Sequence, residues 1–134
     1  MNFRTFKQNK LVRDKIIKIM EDKGSKLYAY KLNDQDFLKQ LKLKLLEEAT
    51  EVSKAQTEQE LLTELADVQE IIYTLLKFHN FTEKNLTAVR EKKLEEKGGY
   101  QEKIFVTFAE HPKDSPQERY CLAESDKYPE VKNF

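Results

Sequence analysis

Two acidic pairs stand at helical spacing in this chain: Glu48-Ala49-Thr50-Glu51 and Glu64-Leu65-Ala66-Asp67, with twelve residues between them. Carboxylates three positions apart share one face of a helix. Two such helices side by side place four oxygen donors in one groove, which is the donor set that hard divalent cations take. Little else in the chain competes for chemistry. His79 and His111 are the only histidines and neither completes an E-x-x-H, the motif that a di-iron carboxylate bundle needs on two helices. With Cys121 as the only cysteine, a structural zinc site lacks ligands. Neither a G-x-x-x-x-G-K-[ST] phosphate loop nor a G-x-S-x-G nucleophile elbow is present. The remaining set, Glu48, Glu51, Glu64 and Asp67, suits Mg²⁺ or Mn²⁺.

Either pair alone reads more readily as a solvated helix face, because glutamate is abundant here. Position favours more. Both pairs border apolar stripes, and like charges crowded at a helix interface repel unless something neutralises them. The electrostatics extend to a ligand. Four carboxylates and a triphosphate bring together about eight negative charges, which only metal ions with several Lys and Arg would offset. Candidate cations are Lys10 and Arg13 near the start, Lys44 beside the glutamates, and Arg90, Lys92, Lys93 and Lys97 further on. Singly each reads as a surface charge; together they fit phosphate binding.

Helical elements must position these groups. Val12, Ile16, Ile19 and Met20 recur at helical spacing and predict a helix from Lys10 to about Lys23, stopped by Gly24. Asn33 or Asp34 caps a long helix from Asp34 to about Gln56, with Leu38, Leu41, Leu45, Ala49 and Val52 as its stripe. Thr57-Glu58-Gln59-Glu60 reads as a capping box that opens a second long helix to about Phe78. Leu61, Leu65, Val68, Ile72, Leu75 and Leu76 form its stripe. The short joint near Thr57 makes these two helices antiparallel neighbours and brings the acidic pairs level. A polar helix follows over Thr82–Lys97, ended by Gly98-Gly99. Leu27–Leu32 and Lys103–Phe108 are rich in aromatic and β-branched residues and predict two short strands that pair as a minor β flap. Pro112, Pro116 and Pro129 mark residues 109–134 as a loop-rich tail of unread role.

The expected architecture is therefore an all-α antiparallel bundle of about four helices over residues 1–108, with the flap and the tail. The chain has 134 residues, 36% of them charged, and its formal net charge is zero. No global field points to a nucleic acid polymer or an acidic membrane. A single cysteine excludes an internal disulfide and fits a reducing compartment. With neither a bilayer-length apolar run nor a signal-peptide core after Met1, the expectation is a soluble cytoplasmic protein.

At the acidic pairs the sequence resembles the all-α nucleoside triphosphate pyrophosphohydrolases, the MazG-like and phosphoribosyl-ATP pyrophosphohydrolase-like proteins, whose signature is E-x-x-E, a spacer, then E-x-x-D. Asn9-Lys10-Leu11-Val12-Arg13-Asp14-Lys15-Ile16 and the run from Arg90 through Lys97-Gly98-Gly99-Tyr100 into Ile104-Phe105 are similar to the second subgroup. The resemblance covers about residues 9–108 and leaves the tail outside. It implies cleavage of the α–β phosphoanhydride of a nucleotide to a monophosphate and pyrophosphate, with Mg²⁺ activating water and neutralising the polyphosphate. Carried over, Glu48, Glu51, Glu64 and Asp67 are metal ligands. Glu48 and Glu47 are the catalytic carboxylates, with Glu47 orienting or deprotonating the water. Lys93 and Lys97, then Lys10, Arg13 and Lys44, are the phosphate contacts. The resemblance also implies a homodimer or homotetramer. Two alternatives stand beside a nucleoside triphosphate pyrophosphohydrolase: a phosphoribosyl-ATP pyrophosphohydrolase of histidine biosynthesis, and a non-catalytic helical interaction module. No residue that reads the base stands out; Tyr28, Tyr30, Phe37 and Tyr100 could stack on a base, but each reads more readily as core packing.

Overall fold

A computed structural model describes residues 2–133. Its regular elements are α1 (Ile16–Asp22), α2 (Asp34–Lys54), α3 (Glu58–Phe78), α4 (Glu83–Lys97) and α5 (Pro116–Ala123). The chain divides into two compact units between Glu95 and Glu96, within the last turn of α4.

Local chemistry explains most of the helix ends. The side chain of Asn33 accepts the Asp36 N–H at 2.8 Å and starts α2. Thr57 Oγ1 accepts the Glu60 N–H at 3.1 Å, while Glu60 Oε2 reaches back past the cap to accept the Gln56 N–H at 2.8 Å, so two amides at the start of α3 are satisfied. Thr82 and Asn85 make the same exchange at the start of α4. Three helices close with a left-handed residue, Gly98 (φ 80°) after α4 among them. Gly24 (φ 97°) ends α1, where the Ser25 N–H reaches Met20 O and the Gly24 N–H reaches Glu21 O. Asn80 (φ 59°) ends α3 in the same way, with Phe81 N–H on Leu76 O.

Three expectations need correction. No strand forms among the described residues, so the predicted β flap is absent. Tyr28 and Tyr30 are 91% and 84% exposed, and Ile104 and Phe105 are 81% and 88% exposed. A lone two-stranded ribbon without a face to bury is marginal, and β propensity expresses packing as much as backbone preference. Second, α1 begins at Ile16, not Lys10. The preceding residues form a bend and a turn, and Lys15 at the N-cap offers no side-chain acceptor. Third, the tail holds α5. Ser115 caps it by accepting the Glu118 N–H at 3.2 Å, and Pro116 occupies its first turn.

Within the first unit α2 and α3 are the one extensively packed pair of helices. Leu41 is 1% exposed and is the only fully buried hydrophobic residue among those described. Leu38, Leu45 and Val52 of α2 and Val68, Ile71 and Leu75 of α3 are half-buried. Phe37 and Phe78 pack at 5.9 Å between ring centroids. The apolar content of α3 exceeds what one neighbour covers. Leu62 and Leu65 remain 62% and 46% exposed, and with Ala66, Val68, Gln69 and Ile72 they line an open groove.

Candidate metal centre

The joint between α2 and α3 is three residues, Ala55 to Thr57, so α3 turns back along α2. Glu48 lies six residues before the end of α2 and Glu64 six residues after the start of α3. At 1.5 Å per residue both stand about 9 Å from the joint, which sets them level. Asp67 follows Glu64 on the same face.

The carboxylates of Glu48, Glu64 and Asp67 each offer an oxygen within 4.8 Å of the others, and all three residues are half-buried. Oxygens around a six-coordinate Mg²⁺ at about 2.1 Å lie about 2.9–4.2 Å apart. A spread of at most 4.8 Å is of the same order as that shell. Its donors are all hard oxygens, a set that suits Mg²⁺ or Mn²⁺.

Glu51 stands outside this cluster. At 100° per residue, Glu48 points about 20° from the direction of the buried Leu41, whereas Glu51 points about 80° from it. Glu51 is accordingly exposed, and with Lys54, Ala55, Glu60 and Glu64 it borders an open depression beside the joint. Its charge still reaches Glu64. The Glu64 carboxyl is held above the usual carboxylate range, first by partial burial, then by the charges of Asp67, Glu48 and Glu51, and by a hydrogen bond with Glu48.

Two cations of this chain answer part of that charge. Lys44 Nζ lies 3.2 Å from Glu47 Oε2 and 3.7 Å from Glu48 Oε1, one turn back on the same helix, with a side chain only 17% exposed. Arg13 Nη2 donates to Asp67 Oδ1 at 2.8 Å, across 54 positions of sequence. No spacing rule in the sequence points to this long-range pair. Among the predicted site residues, the structure thus gathers Arg13, Lys44, Glu47, Glu48, Glu64 and Asp67. Lys10 is exposed on the N-terminal segment, Lys93 is exposed on α4, and Lys97 is exposed in the second unit. Glu60, which sequence reasoning used only as a cap, adds a further carboxylate beside Glu51 and Glu64. No protein family, curated protein or solved structure matches this chain in comparison.

Proposed function

We propose that this chain is a Mg²⁺-dependent nucleotide pyrophosphohydrolase that cleaves the α–β phosphoanhydride of a nucleoside triphosphate. The observation that carries this reading is the Glu48–Glu64–Asp67 cluster, three hard donors from two adjacent helices within 4.8 Å of one another. Its sequence context supports the reading through the resemblance to the all-α nucleoside triphosphate pyrophosphohydrolases. Glu48, Glu64 and Asp67 would hold the ion, with the exposed Glu51 as a fourth donor after a rotamer change. When bound, the ion supplies positive charge and Lewis acidity at the polyphosphate and the attacking water.

The chain's own groups do the rest. Glu47 lies next to Glu48 and is exposed, so it can take a proton from a water at the groove. Lys44 steadies that carboxylate through the 3.2 Å contact. Water attacks the α-phosphorus, the bridging α–β P–O bond breaks, and pyrophosphate leaves with the electron pair. Arg13 stands beside Asp67 as the nearest phosphate contact, and Lys10 and Lys93 are further candidates from the same unit. No helix of the described residues is long and apolar enough to cross a membrane, and the proposed setting is the cytoplasm.

We also propose that the active unit is a homodimer or homotetramer. A helix with more apolar surface than one neighbour covers belongs in the interior of an assembly, and α3 leaves Leu62 and Leu65 62% and 46% exposed along a groove shared with Ala66, Val68, Gln69 and Ile72. A second copy presenting the same face would cover it isologously.

A panel of nucleotides, phosphoribosyl-ATP among them, tests the activity with Mg²⁺ present and pyrophosphate scored against orthophosphate. Pyrophosphate release from triphosphates is expected. Preference for phosphoribosyl-ATP would move the assignment to histidine biosynthesis. Orthophosphate alone would refute α–β cleavage, and no turnover on any nucleotide would favour an interaction module.

A further inference from the structure

The two cations at the carboxylate cluster are not equivalent. Lys44 rises from the same helix as Glu47 and Glu48, and its half-buried ammonium is confined there. Arg13 comes from outside the helix pair. Its side chain is 59% exposed, and the segment before Ile16 contains no regular element. Two backbone bonds, Ile16 N–H to Arg13 O and Ile19 N–H to Lys15 O, both at 3.1 Å, link its last residues to α1. The guanidinium is thus the one described side-chain ion pair joining this segment to α3, and it ends on Oδ1 of Asp67.

We infer that Arg13 is the exchangeable counter-cation of the cluster: it holds Asp67 until a divalent ion takes that carboxylate, and its release frees the N-terminal segment and presents the guanidinium to phosphate. The inference rests on the metal-centre reading above and deepens it by giving an order, metal first and phosphate second. The physical reasons are three. A divalent ion drawn to Asp67 and a guanidinium in contact with the same carboxylate repel each other. A pair this exposed is weak, worth at most about a fivefold factor in an equilibrium constant, so a divalent ion can displace it. The freed guanidinium then offers a planar fork of donors that matches phosphate oxygens and stands next to the loaded ion, where a polyphosphate must lie.

Titration of the ¹⁵N-labelled full chain with Mg²⁺, observing the Arg13 Nε–H resonance assigned through Arg13→Gln, tests this without any turnover. The resonance is expected to move to the position of a free arginine, with the same midpoint as the backbone amides of Glu48 and Glu64. Arg13→Gln is expected to bind Mg²⁺ more tightly, by up to about fivefold. Asp67→Asn is expected to show a free Arg13 before any Mg²⁺ is added. If the Glu48 and Glu64 amides respond while Arg13 stays in its paired position, or if Arg13→Gln binds Mg²⁺ no better, the exchange is overturned and the metal centre stands. If Mg²⁺ moves none of these signals, the metal centre falls and the exchange falls with it.

Discussion

Replacing Asp67 by Asn separates the metal-centre account from a plain ion-pair account. The side chain keeps its size and loses its charge. In the metal-free chain two effects oppose each other. The pair with Arg13 is lost, and with side chains 59% and 33% exposed it is worth about 0–1 kcal/mol. Repulsion against Glu64 is relieved at the same time, because Asp67 is the largest neighbouring charge acting on that carboxyl. The net change in EDTA is therefore within about 1 kcal/mol in either direction. Mg²⁺ changes the comparison. A ligand at a hundred times its Kd that binds only the folded chain adds about 2.7 kcal/mol. Each kcal/mol moves the Tm of a domain of this size by about 2–8 °C, so the wild-type chain gains about 5–20 °C. Asp67→Asn removes one of three clustered donors, and its Mg²⁺-dependent rise should vanish. The assay is a pair of thermal melts for each protein, in EDTA and in Mg²⁺. An Asp67→Asn chain that keeps the full rise would refute the assignment of Asp67 as a ligand.

Other outcomes follow from the same structure. Glu64 has its folded-state pKa raised above 4.5, so in EDTA its contribution to stability is complete below that value and is lost as pH rises through the folded pKa. Urea midpoints measured from acidic to neutral pH should fall across that range, and Glu64→Gln should remove this component. Leu41→Ala empties the one fully buried position and should cost about 2–5 kcal/mol, read as a lower urea midpoint with the slope unchanged. Leu62→Asp alters a residue 62% exposed in the single chain, so a monomer would tolerate it. Sedimentation should show the wild-type chain as a dimer or tetramer and this variant as a smaller species, and a monomeric wild type would contradict the proposed assembly.

How much of this was legible in the sequence depended on the range of the interaction. Caps are legible because they are local: Thr57 as cap with Glu60 reaching back reads from four consecutive residues, and the structure has the Glu60 N–H on Thr57 and the Glu60 carboxylate one residue further back, on the Gln56 N–H. The carboxylate cluster was legible because helical spacing and a short joint compute positions without tertiary knowledge. The angular detail was blurred. Glu48 and Glu51 were treated as equals, yet about 60° of rotation leaves the first facing α3 and the second in solvent. The tail helix is legible in Ser115-Pro116-Gln117-Glu118, which carries both an N-cap and a first-turn proline; proline marks a loop in a helix interior, but at Pro116 it begins a helix. The β flap failed for a physical reason. Aromatic and β-branched residues form strands when a partner face covers them, and Tyr28, Tyr30, Ile104 and Phe105 remain exposed. The Arg13–Asp67 pair was out of reach because it depends on where an irregular segment passes.

The most direct measurement of the central claim is the fate of oxygen in a single turnover of a nucleoside triphosphate with Mg²⁺ in H₂¹⁸O. Attack of water at the α-phosphorus, as proposed for the groove beside Glu47 and Glu48, predicts that the label appears in the nucleoside monophosphate and that the pyrophosphate is unlabelled. Label in pyrophosphate or orthophosphate, or no turnover at all, would contradict it.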